Sequence, residues 1–227
     1  MSAEAERVES MHVDDNILVI GIVSHKNEAT LTTPTSKRDQ YRVDALKKTF
    51  KFVFTMTQDC DDNIIDQVHH LHHAMNTNGA SALIQHLDKQ NPTVKFDFIC
   101  LEFVRMPSEY YENFVTGNGK IPGSPLAGFL KCLRDGDKLN FGCKLLVATI
   151  GCQKGSYHDR WPTTKHLLEA EFGKSREVEA NANPYYKACA LVVKRSEVCN
   201  PVVQLKHRIS NEKPFTEFTV LPDNAFS

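Results

Sequence analysis

Apolar residues along the chain gather into short runs that alternate with segments of helical spacing. Four runs predict buried strands, because apolar residues dominate them without polar alternation. These runs are 16–23, 51–57, 96–104 and 142–150. Apolar residues three or four positions apart predict helices at 41–50, 63–73, 80–89 and 126–133. Two later segments, 186–194 and 216–221, predict strands that form an antiparallel pair.

Strands that alternate with helices are typical of an α/β domain with a mostly parallel central sheet and right-handed crossovers. The polar and acidic segment 1–14 is predicted to be a flexible N-terminal tail. Residues 15–227 are predicted to form a single domain, and the proline- and glycine-containing segment 105–125 an irregular loop within it.

Composition and charge exclude several classes of protein. Lys and Arg number 27 against 28 Asp and Glu, so the net charge of -1 argues against a nucleic-acid partner. The apolar runs are far shorter than the roughly 20 residues that span a bilayer, and the N-terminus lacks the pattern of a signal peptide. The 7 cysteines are widely spaced and include no Cys-x-x-Cys pair, which favours reduced thiols. We therefore expect a cytoplasmic or otherwise intracellular protein without a membrane segment.

Polar residues near the ends of the predicted strands are the candidates for a binding site, because parallel sheets bind ligands outside the carboxyl ends of their strands. Gly21 lies at the end of the first strand. Asp59 follows the second, where a carboxylate can accept hydrogen bonds from ribose hydroxyls or cap the next helix. Glu102 lies near the end of the third, either facing a substrate cleft or forming an ion pair with Arg105. Tyr110 belongs to the 105–125 loop, which could cover such a cleft.

A histidine-rich segment raises the question of a metal site. His69 and His73 are four residues apart, so a helix would place them on one face at a spacing that can bind a transition metal. No third ligand can be named, and a solvated helix face explains the same spacing. Sequence patterns of P-loop nucleotidases and of serine hydrolases are absent.

The order of these features resembles the class I S-adenosylmethionine-dependent methyltransferases, including their spermidine-synthase-like branch. The resemblance runs from about Asn16 to Val193 and rests on the first strand with Gly21, the acid-ended strand before Asp59, the strand ending near Glu102, and the 138–150 segment. It implies a three-layer Rossmann-like fold with late antiparallel strands.

The resemblance also assigns roles to residues. It implies that Gly21 lies at the position that holds the methionine part of S-adenosylmethionine, Asp59 at the position that holds the ribose, and Glu102 at the position that meets the substrate. We also expect Ser24 to contact the cofactor, and Glu102 or Tyr110 to orient or deprotonate the acceptor. The family loop carries three glycines after the first strand, whereas this chain keeps only Gly21.

Three hypotheses follow. The first is a methyltransferase-like enzyme that transfers a methyl group from S-adenosylmethionine to a small acceptor. The second is a non-catalytic scaffold or binding protein that keeps the fold and has lost the cofactor loop. The third is a metal-dependent enzyme that uses His69 and His73.

Overall fold

A computed structural model describes the backbone of the chain at residues 14–20, 45–57, 63–65, 68–72, 77–102, 124–148, 165–193, 213 and 215–223. Its strands are β1 (Asn16–Ile20), β2 (Phe52–Thr57), β3 (Asn63–Ile65), β4 (Val68–His72), β5 (Phe96–Glu102), β6 (Leu139–Ala148), β7 (Arg176–Val178) and β8 (Phe215–Leu221). Its helices are α1 (Thr77–Gln90), α2 (Pro125–Asp135) and α3 (Pro184–Val193). Residues 45–47 and 165–172 are also helical.

The strands form one mixed sheet in the order β3-β4-β2-β1-β5-β6-β8-β7. Strands β4, β2, β1, β5 and β6 are parallel to one another. Strand β8 is antiparallel to both of its neighbours, and β3 is antiparallel to β4. The expected α/β class with a mostly parallel sheet and a late antiparallel strand is therefore confirmed.

Both faces of the sheet carry an apolar core. On one face, which we call the α1–α2 face, Ile20, Met56 and Leu101 belong to the same buried cluster as Leu83 of α1 and Phe129 of α2. On the opposite α3 face, buried residues of the strands cluster with residues of α3 and of the 45–50 segment. They include Ile17, Val19, Val53, Cys100, Leu146, Leu46, Phe50, Tyr186 and Cys189. Burial on both sides explains why the central strands are apolar without alternation.

Helix α2 has the start that its sequence predicts. The hydroxyl oxygen of Ser124 accepts a hydrogen bond from the Ala127 amide at 3.4 Å, and Pro125 occupies the first turn. At the other end the amide of Gly136 donates to the carbonyl of Cys132 at 2.9 Å. The predicted helices at 80–89 and 126–133 are confirmed as parts of α1 and α2.

The prediction of a helix at 63–73 is wrong. Residues 63–65 and 68–72 form β3 and β4, and β4 pairs in parallel with β2 from Val53 to Thr57. Apolar residues in a short segment fit both the helical and the strand period, and backbone pairing with β2 selects the strand. His69 therefore lies in a strand rather than on the predicted helical face that it would share with His73. His73 itself lies outside the described residues.

The prediction of a strand at 186–194 is also wrong, because this segment belongs to α3. The side-chain oxygen of Asn183 accepts a hydrogen bond from the Tyr186 amide at 3.0 Å, and Pro184 begins the helix. An Asn-Pro start is a helix signal, but the apolar run after it carries no period to distinguish helix from strand. The antiparallel partners of β8 are β6 and β7 instead.

Candidate functional site

The carboxyl ends of the five adjacent parallel strands define one edge of the sheet. The chain starts at β1 in the centre, continues outward to β2 and β4 on one side, and then returns to β5 and β6 on the other. The order thus reverses between β1 and β5. Open α/β sheets bind ligands in the crevice outside the strand ends at such a switch point. We take this place as the candidate site.

The register of the strands aligns their ends. Ile20, the last residue of β1, pairs with Met56 on one side and with Leu101 on the other. Thr57 and Glu102 are therefore each one residue beyond the partners of Ile20. Neighbouring strands lie about 4.8 Å apart, so the ends of β2 and β5 flank the end of β1 closely.

The outer strands continue this row. Thr57 pairs with His72 at the end of β4, and Glu102 pairs with Ala148 at the end of β6. Four of the five parallel strands thus end at one level, and β1 ends one residue before it. The five parallel strands therefore end at nearly the same level of the sheet.

Of the residues predicted to contact the cofactor or the acceptor, only Glu102 lies within the described part of the chain. Glu102 is the last residue of β5, next to the end of β1. Gly21, Ser24, Asp59 and Tyr110 lie outside the described residues. Gly21 directly follows β1 in the chain, and Asp59 comes two residues after β2 ends at Thr57.

The strand ends rest on a tightly buried layer. Ile20, Met56, Leu101 and Val147 have no solvent-exposed surface and belong to the core of the α1–α2 face. Close-packed interiors resist displacement, so these side chains hold the ends of four neighbouring strands in fixed relation. A site at this edge is supported by strands rather than by loops alone.

A buried polar cluster, which the sequence did not predict, lies on the α3 face of the sheet. Glu217 of β8 is 3% exposed. Its Oε1 accepts a hydrogen bond from Arg176 Nε of β7 at 2.6 Å, and its Oε2 accepts one from the Tyr186 hydroxyl of α3. The available sequence signal is a single acid within the otherwise apolar and threonine-containing strand β8.

The protonation of this cluster follows from its surroundings. Burial, together with the adjacent Glu217 carboxylate, raises the pKa of Tyr186 well above its ordinary value. The hydrogen bond and charge of Glu217 likewise raise the pKa of Arg176. Tyr186 therefore stays a hydroxyl donor at neutral pH. The cluster connects α3, β7 and β8, and it does not lie at the carboxyl edge near β1.

At the opposite edge of the sheet, where the parallel strands begin, Asp97 of β5 joins three strands. Its Oδ2 accepts from the Asn16 amide and its Oδ1 from Asn140 Nδ2, both at 2.7 Å. The side-chain amide of Asn16 donates to the Lys95 carbonyl at 2.7 Å. Burial raises the pKa of Asp97 despite these two donors. This network aligns the starts of β1, β5 and β6.

Within the described ranges, no group of three or more His, Cys, Asp or Glu side chains is arranged to hold a metal ion. Cys132, Cys143 and Cys189 are free thiols, and burial raises the pKa of Cys143. A buried thiol of raised pKa is a poor nucleophile. In the same part of the chain, no helix combines the length and apolar character needed to span a membrane.

Comparison with known proteins adds no relative: no protein-family model matches the chain, and no curated protein matches it significantly.

Proposed function

We propose that this protein binds S-adenosylmethionine in the crevice outside β1 and β5 and transfers its methyl group to a small acceptor. The observation that carries the proposal is the strand order β4-β2-β1-β5-β6, which reverses at β1 and β5. This is the order of the first five strands of doubly wound nucleotide-binding sheets. With helices on both faces, we infer a three-layer Rossmann-like domain.

The sequence positions of the candidate residues agree with this placement. Gly21 follows β1 at the switch point, where a residue without a side chain lets the backbone approach a ligand. Asp59 follows the neighbouring strand β2, a position suited to a carboxylate that accepts hydrogen bonds from both ribose hydroxyls. Ser24, three residues after Gly21, is proposed to contact the methionine part.

Glu102 and Tyr110 are proposed to act on the acceptor. Glu102 ends β5 on the other side of β1 from Thr57, so cofactor and acceptor would meet across the end of β1. The cofactor supplies an activated methyl group on a sulfonium. The protein orients the acceptor in line with that methyl group, and Glu102 or Tyr110 accepts the proton that the acceptor loses.

One observation favours a second function, a binding or scaffold role without catalysis. Only Gly21 occupies the segment from Val19 to Lys26 where the resembled family has three glycines. Side chains at Val23 and Ser24 then take the space that a cofactor needs. On this alternative the fold persists and S-adenosylmethionine does not bind.

Thermal unfolding with S-adenosylmethionine and S-adenosylhomocysteine separates the two functions. A ligand at about 100 times its Kd stabilises the native state by about 2.7 kcal/mol, which raises Tm by about 5 °C or more for a chain of this size. We expect this shift for the wild type and its loss in Asp59→Ala.

The matched control is Glu177→Ala. It removes an exposed carboxylate of β7, at the far end of the sheet from β1 and β5. This variant should keep the full shift. Absence of a shift in the wild type at millimolar ligand would replace the enzyme proposal with the scaffold alternative, whereas equal loss in both variants would remove Asp59 from the site.

A further inference from the structure

We draw no further inference here: the strongest candidate, the buried side-chain oxygen of Asn16 at the amino ends of β1 and β5, has no hydrogen-bond partner in the described part of the chain, but it carries no site because both oxygens of the neighbouring Asp97 already accept hydrogen bonds from Asn16 and Asn140, and no group of three or more His, Cys, Asp or Glu in that part of the chain could hold a metal ion.

Discussion

Glu217 is a buried carboxylate of β8, the strand that lies between β6 and β7. Removing such a charge from water costs several kcal/mol unless hydrogen bonds replace its hydration. Both of its oxygens have donors, Arg176 and Tyr186. Because these donors come from β7 and α3, the requirement of one carboxylate fixes how two other elements pack onto β8.

Tyr186→Phe keeps the aromatic ring in the α3-face core and removes the hydroxyl. One oxygen of the buried carboxylate then lacks its donor, so we expect a loss of about 1–3 kcal/mol in the free energy of unfolding. Urea unfolding measures it. The double variant with Tyr186→Phe and Glu217→Gln should lose less free energy of unfolding than the two single variants lose together. Strictly additive effects would show that the two side chains are not coupled.

Asp97 gives the stability a pH dependence of known sign. Burial raises its pKa in the native state above the ordinary carboxyl value of 3.8. The native state therefore binds this proton more tightly than the unfolded state does, and the contribution of Asp97 to stability falls as pH rises through this range.

The comparison with Asp97→Asn isolates this contribution, because other carboxyl groups titrate in both proteins. The stability of the wild type relative to the variant should decrease as pH rises from below 3.8 and level off once Asp97 is ionised. Urea unfolding at a series of pH values measures the difference. A relative stability that increases with pH would contradict the assignment.

At the scale of elements, α2 depends on its first turn. The Ser124 hydroxyl oxygen accepts a hydrogen bond from the Ala127 amide, which otherwise lacks an intrahelical partner. Ser124→Ala should lower the free energy of unfolding by about 1 kcal/mol. Ser124→Asp, which preserves the acceptor and adds a charge favoured at a helix start, should unfold at the wild-type temperature or above. Equal losses in the two variants would exclude capping as the cause.

Elements with a strong local signal were predictable, and elements chosen by tertiary contacts were not. The strand at 51–57 and the helix at 126–133 follow from their apolar runs, spacing and caps. The 63–73 segment has helical spacing, yet its backbone pairs with β2, a partner that the local pattern does not reveal. In α3 the apolar run 188–193 lacks any period, so the Asn183-Pro184 start was the decisive signal.

The site follows the same rule. The position of Glu102 was predictable because it lies near the end of an apolar run, and the structure ends β5 at that residue; its role stays a prediction. The Glu217 cluster was not, because its partners Arg176 and Tyr186 are 41 and 31 residues away in the chain. Only the folded sheet brings them together.

At the scale of the whole molecule, the strand order connects the fold to the proposed function. Local pattern indicates which segments are strands, but it does not indicate that β1 lies between β2 and β5. That order creates the switch point and places the ends of β1, β2 and β5, at Ile20, Thr57 and Glu102, side by side at one edge of the sheet. The central claim is that this edge binds S-adenosylmethionine.

Isothermal titration of the full wild-type chain with S-adenosylhomocysteine tests that claim most directly, because it needs neither an acceptor nor turnover. We predict saturable binding of one ligand per chain, with adenosine competing for the same site and with binding lost in Asp59→Ala but retained in Glu177→Ala. No heat of binding at millimolar ligand, from a chain that unfolds cooperatively, would contradict the account.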